Sequence, residues 1–160
     1  MGRIKCLTLT QPWATLVACG TKKIETRSWK TNYRGALAIH AAKGFPESAQ
    51  QICLTEPFAS VLKRQTSIRV IWDRARQRSD FPLGQVIALC ELTDCVQILE
   101  GGSIAQEEPE HSFGDYTYGR YAWLLENIQA IQPIPMRGAL GLWETDLAGL
   151  IIPVPGRRET

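Results

Sequence analysis

The chain has 160 residues, of which 44% are hydrophobic and 21% charged. This is the length and composition of one globular domain that buries a core without metals or disulfides. The formal net charge of +2 permits a nucleic-acid partner without requiring one, because the distribution of charge matters more than its sum. The sequence shows neither a secretory signal nor an apolar run of membrane-spanning length, so we expect a cytoplasmic protein with no membrane partner.

The first 20 residues predict a strand followed by a short helix. The strand is predicted in "IKCLTLTQ", where two sets of side chains alternate: Ile4, Cys6 and Thr8 against Lys5, Leu7 and Leu9. The helix is predicted in "TQPWATLVACG", where Thr10 can cap it, Pro12 suits the first turn and Gly20 can end the last turn. Three apolar residues spaced i, i+3, i+4 predict its buried stripe: Trp13, Leu16 and Val17.

The stretch that follows, "GTKKIETRSW" (20–29), places four charges within six positions where the chain is about to enter its core. On a strand, Glu25 and Arg27 point to the same side because they are two residues apart. Lys22 reaches toward them from the preceding turn. The charges are explained if this stretch lines a polar cavity instead of the core.

Residues 34–43, "RGALAIHAAK", predict another strand with two distinct faces. The larger apolar side chains share one face: Leu37, Ile39 and Ala41. The other face carries smaller residues and a histidine: Ala36, Ala38 and His40. Residues 46–80 are predicted to be helical and looped.

From residue 81 onward, the sequence is rich in β-forming residues and predicts strands. Three are predicted in "LGQVIALCELTDCVQIL", "YAWLLENIQAI" and "RGALGLWETD", with Trp123 and Trp143 expected in the core. Between the first two lies a loop at 100–115 with five acidic residues and no Lys or Arg, which we expect to form a mobile acidic flap. Strands interleaved with helices and irregular loops favour an α+β fold, with a small mixed barrel or curled sheet as the expected form.

Common catalytic signatures are largely missing from the sequence. It contains no dinucleotide-binding glycine motif, P-loop, nucleophile elbow or H-E-x-x-H motif. Its five scattered cysteines are interpreted as free thiols of a reducing compartment, and its two histidines are too few for a multi-histidine metal centre. We therefore expect neither a metal nor a cofactor.

The charged stretch fits a named pattern, because Gly20, Lys22, Glu25 and Arg27 match G-x-K-x-x-E-x-R. With its flanks "LTLTQPWATLVACG" and "YRGALAIHAAK" and the later "FGDYTYGRYAWLLENIQAIQPIPMRGALGLWE", the chain resembles ASCH-domain proteins. The resemblance implies a PUA-like small mixed β-barrel with flanking helices and an association with RNA. It places the domain at 3–146 and leaves 147–160 as a C-terminal tail.

The chemistry of the motif suits recognition of an unpaired nucleotide. Lys22 and Arg27 can bind phosphate, and Glu25 can accept a hydrogen bond from an exocyclic amine such as that of cytosine. Trp13 and Trp29 offer faces on which an unstacked base can lie. The expected ligand is RNA, another single-stranded nucleic acid or a nucleoside-like molecule. The structural alternative is that Glu25 merely forms a rim ion pair with Arg27 or Lys22.

The resemblance leaves catalysis open. Some bacterial members of the superfamily are amidohydrolases that deacetylate N4-acetylcytidine, and their motif lysine corresponds to Lys22. Their threonine nucleophile, however, stands where this chain has Glu25, and a carboxylate cannot repeat hydroxyl chemistry. The adjacent Thr26 should face the other way. Ribonuclease activity is also known in the superfamily, and Lys22 with Glu25 could act as an acid–base pair.

Other residues are candidates for the same or a neighbouring ligand site. Arg34, His40 and Lys43 surround the second strand, although a lone strand histidine is more often structural. After the acidic loop, Asp115, Tyr116 and Arg120 are predicted to line the cleft, with Asp115 capping a tight turn as the alternative.

Two segments could serve partners outside the cleft. Residues 63–78 carry six basic residues and one acid, and Arg74, Arg76 and Arg78 are the core of this basic patch, which either tracks an RNA backbone or is a solvated surface. The acidic loop and the tail "IIPVPGRRET" support a different reading, a protein-interaction adaptor, because the PVP segment suits an extended conformation.

Overall fold

A computed structural model of the chain describes residues 2–64, 81–102, 104 and 107–152, together with the backbone of 72–73 and 78–79. The helices are α1 (Trp13–Ala18), α2 (Glu47–Ile52) and α3 (Phe58–Arg64), with a 3-10 turn at His111–Phe113. The strands are β1 (Arg3–Leu9), β2 (Ile24–Arg27), β3 (Gly35–Ala41), β4 (Trp72–Asp73), β5 (Arg78–Ser79), β6 (Gln85–Gln97), β7 (Tyr121–Pro135) and β8 (Leu142–Asp146).

Six of these strands form one mixed sheet in the order β2-β7-β6-β3-β1-β8. Only β1 and β3 run parallel; the other pairs are antiparallel. The α+β prediction is confirmed. The sheet is not closed, since no ladder joins β2 to β8 among the described residues, but it curls: Arg27 on the edge strand β2 donates a hydrogen bond to the backbone oxygen of Thr8 on β1. The form is therefore barrel-like with an open seam.

The sheet separates two cores, and the predicted alternation along β1 and β3 assigns residues to each. Leu7 and Leu9 pack with Leu37 and Ile39 in the first core, beneath Val17 of α1. The opposite side chains enter the second core: Ile4, Cys6 and Ala38. Trp123 is fully buried in the first core and Trp143 packs against the second, so both tryptophans lie where the strand patterns predicted.

The short helix α1 differs from its prediction at the start and agrees at the end. Thr10 provides no side-chain cap; instead the buried Gln11 side chain accepts a hydrogen bond from the Thr15 N–H and donates one to the Pro82 oxygen. Gly20 ends the helix with a φ of 76°, a left-handed conformation that favours glycine. Every helix residue after Trp13 is buried, so the predicted three-residue stripe is too narrow.

Residues 46–80 contain more than the predicted helices and loops, because β4 and β5 form a small antiparallel pair. A two-residue strand is too short to leave an alternating pattern in the sequence.

A third core cluster includes one residue of α1 and residues from later in the chain: Leu16, Phe58, Val61, Leu62, Phe81 and Phe113. No helix in the described ranges is long and apolar enough to cross a membrane.

The packed part of the chain continues past residue 146. Leu147 is fully buried in the second core, and the Gln132 N–H donates a hydrogen bond to the Ile152 oxygen. Residues 153–160, the rest of the expected tail, lie outside the described residues, as do Arg74 and Arg76; of Arg78 only the backbone is described.

Candidate functional site

The open seam of the sheet creates the site. Among the described residues, β8 pairs with residues 3–7 of β1, and the last two residues of that strand have no partner on this side. In the same part of the chain β2 pairs with β7 alone, which leaves its other edge without a paired strand. The two uncovered edges face each other across a cleft of about 320 Å³. We call it the seam cleft; its lining is Thr8, Leu9, Thr10, Trp13, Glu25, Thr26, Arg27, Ser28, Trp29 and Arg120.

Five of the predicted site residues meet in the seam cleft although they come from three separate parts of the chain. They are Trp13, Glu25, Arg27, Trp29 and Arg120. As their i, i+2 spacing predicted, Glu25 and Arg27 lie on the same side of β2, with Arg27 Nε 3.7 Å from Glu25 Oε1. The side chains of Glu25 and Arg27 are 13% and 26% exposed, so both are held close to the protein yet reachable from the cleft.

The polar atoms of this pair are incompletely satisfied. Glu25 Oε2 and Arg27 Nε are buried and have no hydrogen-bond partner among the described residues. The 3.7 Å separations around them are too long for good hydrogen bonds. Arg27 Nη2, in contrast, is fixed by its 2.9 Å bond to the Thr8 oxygen. Each of these two atoms therefore lies in an ion pair without forming a hydrogen bond to the described residues.

Lys22 does not line the seam cleft, contrary to the expectation that its ammonium reaches into the cavity. It is 1% exposed, its Nζ donates to the Ile24 oxygen, and that nitrogen lies 3.7 Å from Glu25 Oε2. The ammonium is thus a buried counter-charge behind the carboxylate. The turn after Gly20 explains this placement, because the Lys22 N–H bonds back to the Leu16 oxygen and directs the residue under the helix end.

The two tryptophans of the cleft are half-buried and braced by other aromatic rings. Trp13 makes an edge contact with Phe58 at a centroid distance of 6.1 Å, and Trp29 makes one with Trp123 at 4.8 Å. Trp123 also donates from Nε1 to the Trp29 oxygen. These contacts fix both rings at the cleft with little freedom to rotate.

Arg120 belongs to the cleft, whereas its neighbour Asp115 does not. Arg120 donates from Nη2 to the Thr26 oxygen and from Nε to the Asp115 oxygen, over 3.3 and 3.1 Å. The exposed Asp115 accepts from the Thr117 hydroxyl and N–H; these bonds, opposed by slight desolvation and helped by Arg120, lower its pKa. Asp115 therefore caps a tight turn, which was the structural alternative to lining the cleft. Its N–H donates to Thr26 Oγ1, so the Thr26 hydroxyl is engaged with that turn.

Glu110 is a positioning residue that sequence reasoning missed. Its two carboxylate oxygens accept hydrogen bonds from the N–H groups of Lys23 and Ile24, at 2.9 and 3.1 Å, and so hold the start of β2. One member of the expected acidic flap is thereby fixed to the sheet. Nothing in the sequence distinguishes Glu110 from the other acids of that loop, because its partners lie 86 and 87 residues away.

Tyr116 lies beside the seam cleft in a separate hollow of about 410 Å³, where its ring stacks on that of His111. Burial raises the pKa of its hydroxyl, and the nearby negative charges of Glu110 and Glu25 raise it further. The hydroxyl oxygen is buried without a hydrogen-bond partner in the described part of the chain. Tyr116 thus stays neutral close to Glu25 without lining the same cleft.

His40 and Lys43 line a different and larger cavity of about 910 Å³. His40 is 2% exposed and bonded through both nitrogens, to Thr8 Oγ1 at 3.2 Å and to the Met136 oxygen at 2.8 Å. The His40 ring is therefore a structural residue held by two hydrogen bonds, as is usual for a lone histidine on a strand. Arg34 lies in neither cavity: it is exposed and pairs with Asp94 at 3.2 Å.

The thiols and acids of the described residues form no group of three potential metal ligands. All five cysteines are free thiols, as expected; Cys6 and Cys90 are buried and the other three are partly exposed.

Comparison with known proteins finds a family whose sequence model matches most of the chain. This is the family model of the ASCH domain, which matches residues 7–135. Activating signal cointegrator 1 from mouse is 27% identical over 146 residues and the human protein is 26% identical over the same length. Each alignment covers 88% of this chain but 22% of the relative, so the chain spans about a fifth of the length of these proteins. Among solved structures, ASCH from Zymomonas mobilis is 20% identical with a TM-score of 0.43, covering 82% of this chain and 72% of that one.

Proposed function

The chain belongs to the ASCH domain family, and from that premise we propose that it binds single-stranded RNA, with one unpaired nucleotide seated in the seam cleft between β1 and β2. The family is associated with RNA, and the seam cleft holds five of the residues that the sequence predicted for a nucleotide site.

The observation that carries the proposal is that Glu25 and Arg27 line the cleft together while each has a polar atom, Glu25 Oε2 and Arg27 Nε, without a hydrogen-bond partner among the described residues. A buried polar atom without a partner costs about 1–3 kcal/mol, so a ligand that donates to the Glu25 carboxylate and accepts from the Arg27 guanidinium offsets part of that cost. The Watson–Crick edges of cytosine and adenine present an amino donor beside a ring-nitrogen acceptor. Such an edge can donate to Glu25 and accept from Arg27, whereas uracil has no amino group.

The rest of the lining suits a base taken out of its stack. Trp13 and Trp29 are half-buried and braced, so they can pack on a base without losing much side-chain freedom. Stacking on an aromatic side chain contributes about 1–3 kcal/mol per base. Arg120 adds a positive charge at the rim of the same cleft. A base inside a duplex cannot reach these groups, which is why the ligand is single-stranded.

The structure gives less support to the hydrolytic alternative, whether ribonuclease or nucleoside amidohydrolase. An acid–base pair must touch the reacting atoms together, but Lys22 lies behind Glu25 and outside the cleft lining. Thr26 bonds to the Asp115 turn instead of acting as an exposed nucleophile. The adaptor alternative depends partly on residues 153–160, outside the described ranges.

The proposal is tested by fluorescence anisotropy with a labelled single-stranded cytidine hexamer and a uridine hexamer. Wild type should bind the cytidine strand more tightly, and Glu25→Gln and Arg27→Gln should each weaken that binding about tenfold or more, since one charged hydrogen bond contributes about 1.5–3 kcal/mol. Glu126→Gln, on an exposed part of β7, is the matched control and should bind like wild type. Equal affinity of wild type, Glu25→Gln and Arg27→Gln for the cytidine strand would contradict the proposal.

A further inference from the structure

The 910 Å³ cavity lies on the other side of Thr8 from the seam cleft, and Thr8 lines both. Its backbone oxygen accepts from Arg27 of the seam cleft, while its hydroxyl contacts His40 in the floor of the second cavity. A ligand that leaves the seam cleft along β1 therefore meets this cavity next. We call it the Thr8 cavity; its lining includes Thr8, His40, Lys43, Met136, Arg137 and Leu140.

The Thr8 cavity carries unbalanced positive charge. Lys43 and Arg137 line it, both are exposed, and neither forms an ion pair or a side-chain hydrogen bond within the described part of the chain. No Asp or Glu is present among the lining residues. Two free cations at one concave site favour an anionic ligand, and phosphate is the anion that Arg and Lys commonly bind.

The floor of the Thr8 cavity is held by a chain of hydrogen bonds. The Met136 oxygen can only accept, so His40 donates to it from Nε2; His40 Nδ1 bonds to Thr8 Oγ1, which also accepts from Trp143 Nε1 at 3.0 Å. Both ring nitrogens therefore have partners within the protein. Gly138 closes over this chain of bonds so tightly that a Cβ there would lie 2.6 Å from the His40 ring. The histidine therefore shapes the cavity and leaves ligand charge to Lys43 and Arg137.

The rim of the Thr8 cavity also offers apolar surface. Leu140 is 98% exposed, and Met136 lies beside it in the same connection between β7 and β8. A fully exposed leucine next to two cations matches a ligand that has both an anionic group and a flat apolar face. A nucleotide has both, in its phosphate and its base.

We propose that the Thr8 cavity is a second nucleotide subsite, occupied by the neighbouring nucleotide of the same single strand whose base lies in the seam cleft. Lys43 and Arg137 bind its phosphate, and its base packs against Met136 and Leu140. This inference rests on the proposed function, because it takes the strand from the seam cleft.

The test compares Lys43→Gln/Arg137→Gln with wild type for binding to a cytidine octamer and to cytidine, which lacks a phosphate. The double variant should bind the octamer more than tenfold less tightly. Its slope of log affinity against log salt should fall by about 1.4, because each phosphate contact on a single strand contributes about 0.7. Affinity for cytidine should not change.

The matched control is Arg3→Gln/Lys5→Gln, which removes the same two charges at the far end of β1, where both side chains pair with Glu144. It should leave the salt slope within about 0.3 of wild type, since a lost phosphate contact would change it by about 0.7. Unchanged octamer affinity and slope in Lys43→Gln/Arg137→Gln would overturn the second subsite. If Glu25→Gln still weakens octamer binding in that case, the proposed function stands; if Glu25→Gln is also without effect, both fail. Inorganic phosphate binding to wild type and not to the double variant, with equal octamer affinities, would assign the cavity to a free anion and also overturn the inference.

Discussion

Arg27 Nη2 donates a hydrogen bond to the backbone oxygen of Thr8 over 2.9 Å, and this bond joins the edge strand β2 to the uncovered end of β1. It spans the seam that keeps the sheet from closing as a barrel. Arg27 also lines the cleft, and its Nε has no hydrogen-bond partner among the described residues. One side chain therefore both bridges the seam and contributes a guanidinium to the lining of the cleft.

Arg27→Lys should separate charge from geometry. Lysine keeps the positive charge but lacks the planar fork, so it cannot bond Thr8 and face the ligand at once. We expect the free energy of unfolding to fall by about 1 kcal/mol, the net contribution of one such hydrogen bond, and the affinity for a cytidine hexamer to fall about tenfold. Urea unfolding and anisotropy measure the two effects.

Arg3→Lys is the control for this change. Arg3 is an exposed arginine paired with Glu144 at 3.2 Å, and a surface pair of this kind contributes little. Both its stability and its RNA affinity should match wild type. Wild-type RNA affinity in Arg27→Lys would show that the guanidinium geometry is not used for binding.

Lys22→Met should destabilise the protein far more than Lys23→Met. Lys22 is 1% exposed and its ammonium lies 3.7 Å from Glu25 Oε2, so its removal leaves a mostly buried carboxylate without its counter-charge. We expect the free energy of unfolding to drop by about 2–4 kcal/mol. The neighbouring Lys23 is exposed, and its substitution should stay within about 0.5 kcal/mol of wild type.

Chemical denaturation of both variants at the same pH decides the matter. Equal stability of Lys22→Met and Lys23→Met would mean that Lys22 is not the buried partner of Glu25. The comparison also bears on catalysis, because an exposed general acid could be neutralised without a loss of several kcal/mol.

Glu110→Ala should loosen the start of β2. The carboxylate accepts from the N–H groups of Lys23 and Ile24, and its loss leaves two donors to find other partners. We expect a destabilisation of about 1–2 kcal/mol and faster hydrogen exchange at the amides of Lys23 and Ile24. Glu107→Ala, in the same acidic loop but exposed, should change neither; a Glu110→Ala exchange pattern equal to that of Glu107→Ala would refute the clamp.

The buried thiols predict a loss of stability in alkali. Burial raises the pKa of Cys6 and of Cys90 from 9.0 to about 12, with a further contribution from Glu91 for Cys90. Between these values the unfolded chain has released a thiol proton that the folded chain retains. The free energy of unfolding should therefore fall as pH rises above about 9, by at most about 1.4 kcal/mol per pH unit for each thiol, and be independent of these groups below that pH.

Urea unfolding between pH 7.5 and 10.5 measures this slope, and Cys6→Ala isolates one thiol. The variant should be less stable at neutral pH because it leaves a small cavity, yet its stability should decline less steeply above pH 9. Parallel decline of Cys6→Ala and wild type would show that Cys6 does not contribute.

Local patterns predicted β1, β3, β6, β7 and β8 and the placement of two site residues on one side of β2. The alternation in β1 and β3 assigned side chains to the correct cores, and the i, i+2 spacing placed Glu25 and Arg27 on one side of β2. These features depend on neighbours in sequence, which is why a single chain reveals them. The Gly20 helix end belongs to the same class.

Features set by distant contacts could not be predicted in this way. Gln11, not Thr10, secures the start of α1, because the side chain that reaches the Thr15 N–H is fixed by Pro82, 71 residues away. Lys22 is buried because the turn directs it under α1, whereas the sequence predicted that its ammonium reaches into the polar cavity. The separation of His40 and Lys43 from the motif residues follows from strand order, which the sequence does not state.

Mapping the bound strand on the protein decides whether the seam cleft is the RNA-binding site. Wild-type protein labelled with ¹⁵N is titrated with a short single-stranded cytidine RNA, and the backbone amide shifts are mapped along the chain. We predict that the largest changes fall at residues 8–13 and 25–29, the two walls of the seam cleft. Changes centred on α3 and residues 65–80, with the amides of residues 25–29 unmoved at saturation, would contradict this prediction.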